Sequence, residues 1–130
     1  MTLTYAWRAP FTSAELCDLH AACFGGGFRD WWEQVNAHSL GWVCARARSG
    51  ALAGFVNVAW DGGEHAFVLD TMVDPAYRRE GAGTRLVTLA AERARSTGCR
   101  WLHVDFEPHL STFYLERCGF APTPAGVVAL

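Results

Sequence analysis

The sequence predicts a single α/β domain over residues 1–130, with a mostly antiparallel sheet, one parallel pairing and about four flanking helices. Three observations predict it. Short β-prone runs are punctuated by Ser49-Gly50 and Asp61-Gly62-Gly63, turn sequences that join adjacent antiparallel strands. Gly81 to Gly98 carries apolar residues at helical spacing between two β-prone runs, the order that makes those two strands parallel neighbours. At 130 residues, 51% hydrophobic and 18% charged, the chain also has the size and polarity of one folded core.

Thr4 to Arg8 alternates β-formers and reads as a first strand. Thr12 or Ser13 caps a helix with Glu15 in its first turn, Leu16, Leu19, Ala22 and Cys23 along one stripe, and Gly25-Gly26-Gly27 as its stop. A weaker helix spans Phe28 to Ala37. Gly41 to Arg48 and Ala53 to Asp61 are two antiparallel strands, and Glu64 to Val73 is a longer third. In the Gly81–Gly98 helix, Leu86, Val87, Ala90, Ala91 and Ala94 form the apolar face and Arg85, Arg93 and Arg95 the others. Trp101 to Phe106 is a strand, His109 to Cys118 a helix, and Val127 to Leu130 a last short strand.

Composition excludes several function classes. All 11 basic residues are arginine, so neither a lysine Schiff base nor the lysine of a P-loop is available. The formal net charge of −2 argues against a nucleic-acid partner. The N-terminal residues lack the pattern of a signal peptide and no window is long and apolar enough for a membrane span, so the expectation is a cytoplasmic protein with no membrane partner. Five cysteines, at 17, 23, 44, 99 and 118, form no CxxC pair and read as reduced thiols.

The chemistry-bearing stretch is Val73-Asp74-Pro75-Ala76-Tyr77-Arg78-Arg79-Glu80-Gly81-Ala82-Gly83-Thr84. A strand ends, a turn follows, and two glycines open the longest helix. Glycine permits a tight turn and close approach to the main chain, and the helix start presents unpaired N–H groups at the positive end of the dipole. That combination suits a pyrophosphate, with Arg78, Arg79 and Arg85 around it. A plain helix start with solvated arginines explains the glycines as well. A Rossmann fingerprint does not fit, because its third glycine is missing.

Arg78-x-x-Gly81-x-Gly83 after a strand ending in Val73 resembles the acyl-CoA signature of the GCN5-related N-acetyltransferases (GNAT). Phe113-Tyr114 followed by Gly119-Phe120 resembles a second segment of that family. The resemblance implies a GNAT-like sheet with a splayed central parallel pair. It implies acetyl-CoA as co-substrate, held by Arg78, Arg79, Gly81, Ala82, Gly83, Thr84 and Arg85 around its pyrophosphate. Its pantetheine arm would lie along Asp70 to Val73, with a backbone N–H of Met72 or Val73 polarising the thioester carbonyl. It also implies a general base for the acceptor amine and a tyrosine that protonates the departing thiolate.

By position that tyrosine is Tyr114. Five steps separate it from Gly119, where the family more often has four, and in an α-helix one extra residue turns a side chain by about 100°. Either the tyrosine points away or the loop before Gly119 absorbs the residue. Asp70 interrupts an apolar run and is a candidate base or anchor for the amine; a buried structural acid is the other reading. His103, Asp105 and Glu107 share one face of their strand and His109 continues the rhythm. Steps of about 6.6 Å spread them too widely for one ion, so no metal is expected and Asp105 and Glu107 remain base candidates. Phe24, Phe28, Trp31 and Trp32 wall the acceptor side by resemblance, or pack in the core.

The expected function is therefore transfer of acetyl from acetyl-CoA to the amine of a small molecule by direct attack. The alternatives are a protein or peptide amine as acceptor, a non-catalytic acyl-CoA-binding module, and a small metal-binding protein. A homodimer is compatible with the sequence. Residues 78–100 hold six arginines against Glu80 and Glu92, leaving the remainder acidic. Asp61, Glu64, Asp70, Asp105 and Glu107 border the expected acceptor side, which favours a cationic amine.

Overall fold

The computed structural model describes residues 2–130. Five strands, β1 (Thr4–Trp7), β2 (Ser39–Arg46), β3 (Leu52–Trp60), β4 (His65–Val73) and β5 (Trp101–His103), form one sheet in sequential order. All neighbours are antiparallel except β4 and β5, which are parallel. Helices α1 (Ser13–Phe24) and α2 (Trp31–His38) cover one face, and α3 (Ala82–Thr97) covers the other. Phe11, Leu16, Trp31, Val35, Trp42, Phe55 and Met72 pack under α1 and α2. Val43, Val56, Val58, Val68, Leu86 and Ala90 pack under α3.

The capping signals act as the sequence predicts. Thr12 Oγ1 accepts from the Glu15 N–H at 3.1 Å, and a Glu15 carboxylate oxygen accepts from the Thr12 N–H at 2.8 Å. Gly25, at φ 77°, ends α1. Helix α2 begins at Trp31, three residues later than expected, because Asp30 serves as its N-cap. The connector ahead of it is tied down instead, its Arg29 N–H and carbonyl both bonded to Cys17 Sγ at 3.3 Å.

Three expectations near the C-terminus are corrected. Strand β5 ends at His103, not Phe106; the alternation of exposed Asp105 and Glu107 with half-buried Val104 and Phe106 continues without ladder pairing. The His109–Cys118 helix is a 3-10 turn (Pro108–Leu110) followed by a π-helical turn (Thr112–Arg117). Val127 to Leu130 forms no strand. Pro122, Pro124 and Gly126 precede it, and proline supplies no ladder donor while both residue types weaken extended pairing. Consequently β5 is an edge strand, and the parallel pair lies at the rim of the sheet rather than its centre.

Pairing between β4 and β5 covers only His65–Phe67 and Trp101–His103. Beyond it, β4 runs on to Val73 alone, so the two strands part and leave the last six residues of β4 open on that side.

Glu15 also receives both ends of the Arg46 guanidinium fork, at 2.7 and 2.9 Å, and this bonding holds its carboxyl below the usual glutamate range. A group whose folded pKa is depressed stabilises the fold above its unfolded value and loses that contribution as pH falls through the folded one. Glu15→Gln, which keeps the cap but not the charge, should lower the melting temperature at pH 7. Denaturation at a series of pH values should show the gap closing below the ordinary glutamate value of about 4.3.

Candidate active site

The site is organised by an irregularity in β4. Asn57 faces Leu69 and Phe55 faces Met72, so Val56 alone faces both Asp70 and Thr71. This extra residue is a β-bulge, and Asp70 takes the left-handed φ of 56° within it. In an unbroken strand Val68 and Val73, five apart, would point to opposite faces. Here both pack toward α3, while Met72 lies under α1. The bulge resets the strand and sends its two residues to different partners. Asp70 lies among His20 of α1, Arg29 of the connector and Asn57 of β3. Thr71 meets Tyr114.

Burial pushes the Asp70 carboxyl above its ordinary value; the positive charges of Arg29 and His20 and a hydrogen bond from Asn57 pull it partly back. Asn57, itself buried, also accepts a hydrogen bond from Ser39 Oγ.

At the end of β4, the Asp74 N–H donates to the Ala53 carbonyl at 2.8 Å. Antiparallel ladders alternate, so Met72, two residues back, also directs its N–H and carbonyl to β3, whereas Val73 directs both to the open side. Of the two residues expected to offer an N–H to a thioester, geometry leaves Val73. Its carbonyl accepts from Arg78 Nε at 3.0 Å and from Cys23 Sγ at 3.3 Å.

Helix α3 starts beside this edge. Its N-cap, Gly81, has φ 77° and offers no side-chain cap to the N–H groups that open the helix. Arg79, before it, has φ 72°. Gly83 packs closely on the second segment: a Cβ there would lie 3.1 Å from the Phe113 ring, which would have to shift to admit it. Arg85 lies over the Tyr5 ring on β1, 5.8 Å from its centroid.

The π-helical turn resolves the spacing of Tyr114 and Gly119. The Cys118 N–H reaches back five residues to the Phe113 carbonyl at 2.9 Å, and the Phe120 N–H bonds to the Tyr114 carbonyl at 3.0 Å. The extra residue is absorbed inside the helical turn, not in the following loop. Tyr114 therefore points inward and is only 6% exposed, stacked on Phe106 and met edge-on by Phe113 and Phe120. Its hydroxyl donates to Thr71 Oγ1 at 3.2 Å. Burial raises the phenol above its usual value, and the Thr71 hydrogen bond acts against that rise.

The remaining candidates divide. Phe24 and Phe28 are 64% and 76% exposed at the end of α1 and in the connector, and Trp32 is partly exposed against Phe11 and Trp42. Trp31 is 2% exposed and belongs to the core, so it walls no cleft; its indole packs against Leu16 and Val35 and carries the Arg29 guanidinium 4.5 Å from its ring centroid. Asp105 is exposed but close enough to raise the Tyr114 phenol, whereas Glu107 leads the 3-10 turn. His103 bonds to His65, 2.7 Å between Nε2 and Nδ1, at the closed end of the strand pair. Among the described residues, no three His, Cys, Asp or Glu side chains gather as a metal site.

The acetyltransferase (GNAT) family model matches residues 3–120, most of the chain. The chain belongs to that family. A probable glucosamine 6-phosphate N-acetyltransferase from Oryza sativa subsp. japonica is 39% identical over 59 residues, which are 45% of this chain and 35% of that protein. The match thus spans about a third of the curated relative's length. The GNAT protein SP0256 of Streptococcus pneumoniae superimposes with a TM-score of 0.81 at 22% identity, over 99% of this chain and 98% of that one. AAC(6')-Iy bound to the bisubstrate analogue CoA-S-monomethyl-acetylneamine gives 0.80 at 19% identity, over 100% and 98%. These two structural likenesses establish the GNAT fold.

Four residues beside Asp70 and Tyr114 are not among the sequence candidates. Asn57 had a signal, as the lone amide in an apolar strand, and Thr71 had one in the broken alternation before Met72 and Val73. His20 and Arg29 had none, since only the tertiary fold brings α1 and its connector to β4. Three cysteines are shifted away from the reactive thiolate form. Burial pushes Cys118 and Cys99 up, and Cys44 up to about 12. Because Asp70's folded pKa is raised, folding costs stability as pH climbs from the unfolded value of about 3.9 through the folded one, and the cost persists above it. Asp70→Asn should therefore melt higher than wild type at pH 7, and calorimetry near pH 3 should find the advantage gone.

Proposed function

We propose that the chain is an acetyl-CoA-dependent N-acetyltransferase acting by direct attack of a small-molecule amine on the thioester. The observation that carries this reading is the Tyr114 hydroxyl, held beside Thr71 on the open stretch of β4. The pyrophosphate of acetyl-CoA would accept from the N–H groups of Ala82, Gly83 and Thr84, with Arg78 and Arg79 adding charge. Pantetheine would extend the sheet where β5 has left it, and the thioester carbonyl would meet the outward N–H of Val73.

The acceptor arrives as an ammonium ion. Asp70, with a raised carboxyl pKa, anchors it and takes its proton directly or through water. The free amine attacks the carbonyl carbon, the C–N bond forms, the C–S bond breaks, and Tyr114 gives its proton to the CoA thiolate. Arg29 and His20 already act on the Asp70 carboxylate, so the cleft suits one ammonium group flanked by polar or anionic functions better than a polycation. An amino sugar is of that class, and the rice relative is named for one that carries a phosphate. Cys23 and the exposed Phe24 and Phe28 would border the acceptor entrance.

Release of free thiol from acetyl-CoA over a panel of amino sugars, polyamines and peptides with free N-termini tests the reading. Tight CoA binding with no release on any amine would overturn it in favour of a binding module, and turnover of peptides alone would move the acceptor class. Tyr114→Phe should slow turnover by about 10²-fold at unchanged KM for acetyl-CoA. Thr84→Glu separates binding from folding. An acid in the first turn of α3 favours the helix dipole but repels phosphate, so the melting temperature should hold or rise while calorimetric CoA affinity falls at least about tenfold.

A further inference from the structure

The Tyr114 ring is clamped on three sides by Phe106, Phe113 and Phe120, so only its hydroxyl proton has freedom to turn. That proton points to Thr71 Oγ1, at an O···O separation of 3.2 Å. The separation is long for such a bond, whose usual value is about 2.7–2.8 Å, and bonds to a charged oxygen are shorter and about twice as strong. A threonine hydroxyl can accept from a phenol and, after rotating about Cβ–Oγ1, donate to a phenolate. The interaction is thus weak before proton transfer and strong after it, the differential that accelerates a step.

We infer that Thr71 is a positioning residue that parks the Tyr114 proton toward the open edge of β4 and then stabilises the phenolate as the thiolate is protonated. The inference rests on Tyr114 acting as the acid. In that step the Tyr114 O–H bond breaks and a CoA S–H bond forms. Thr71 keeps its own proton throughout and only reverses the direction of its hydrogen bond. The phenolate regains a proton from solvent, balancing the one the amine has released through Asp70. The buried setting of the Tyr114 side chain enlarges the effect, since a phenolate there has little water to solvate it, and the direction in which Thr71 acts on the phenol agrees. The bulge is what makes the contact: it spaces Thr71 from Asp70 so that one residue serves the leaving group and the next the acceptor.

Thr71→Val keeps the shape and removes the hydroxyl; Thr71→Ser keeps the hydroxyl. With acetyl-CoA and the best amine of the panel, Thr71→Val should lower kcat about tenfold while KM for acetyl-CoA stays within about twofold, and Thr71→Ser should recover most of the rate. Added to Tyr114→Phe, Thr71→Val should cost nothing further. Tyrosine labelled at Cζ with ¹³C reports the phenol directly in the free protein. The Tyr114 titration, assigned by its loss in Tyr114→Phe, should move to higher pH in Thr71→Val and return in Thr71→Ser. An unmoved titration, or a rate loss that serine does not restore and that adds fully to Tyr114→Phe, would overturn the role of Thr71. Wild-type turnover in Tyr114→Phe would instead remove Tyr114 as the acid, and the two failures are read from different variants.

Discussion

One inserted residue in β4 decides what the rest of this structure can do. Left-handed backbone at a residue with a side chain costs about 1–2 kcal/mol, least for residues such as Asp whose short polar group tolerates it. The bulge at Asp70 and Thr71 incurs that cost in the middle of the sheet. Its return is a change of phase. Upstream, Ala66 and Val68 seat β4 on α3; downstream, Met72 fills the core under α1 and Val73 turns its backbone to the open edge. Without the insertion Met72 and Val73 would exchange faces. A methionine would then point at α3, and the core under α1 would lose a fully buried side chain. The sheet therefore cannot be regular and well packed at once, and the irregularity falls at the point where β5 has already departed.

The two helical layers act on this point from opposite sides. Helix α1 arrives with Cys23 on the Val73 carbonyl and His20 near Asp70, its position fixed by the capping box and by the Arg46 fork on Glu15. Helix α3 arrives with its first turn against Val73 and Phe113, an approach that the missing side chain at Gly83 keeps close. The π-helical turn closes the third side by setting Tyr114 against Thr71. Each of these contacts except the capping box joins segments well separated in sequence. The candidate site is thus a product of tertiary packing, with Asp70 and Tyr114 each held by partners from other elements.

That division explains what could be read in advance. Turn and cap chemistry is local, so the hairpins at Ser49-Gly50 and Asp61-Gly62-Gly63, the Thr12 cap and the long helix ending at Gly98 were all legible. The Gly81 and Gly83 motif marks the start of α3, and the Phe113-Tyr114 segment falls in the π-helical turn beside β4. Their neighbours were not legible, because pairing is not local. Trp31 looks the same in sequence whether it lines a cleft or fills a core, and here it fills the core. Val127 and Val128 have high strand propensity, yet a strand needs a partner edge as well as propensity, and they pair with none of the described residues. The five-residue step from Tyr114 to Gly119 was visible, but whether a loop or the helix absorbs a residue depends on which arrangement best buries the tyrosine.

Charge carries the same lesson. The arginines between 78 and 100 form a cationic segment on paper, but their side chains are not a common reservoir of positive potential. Arg78 is turned back onto the Val73 carbonyl, Arg85 lies over Tyr5, and Arg100 sits 4.0 Å from Glu64 at the far end of β4. What remains fixed at the start of α3 is backbone: the N–H groups following a glycine cap that has no side chain to accept from them. Such donors need no side-chain ordering when a phosphate arrives, and salt screens them less than mobile surface charges. The β4–α3 turn therefore presents oriented backbone donors independently of where its arginines point.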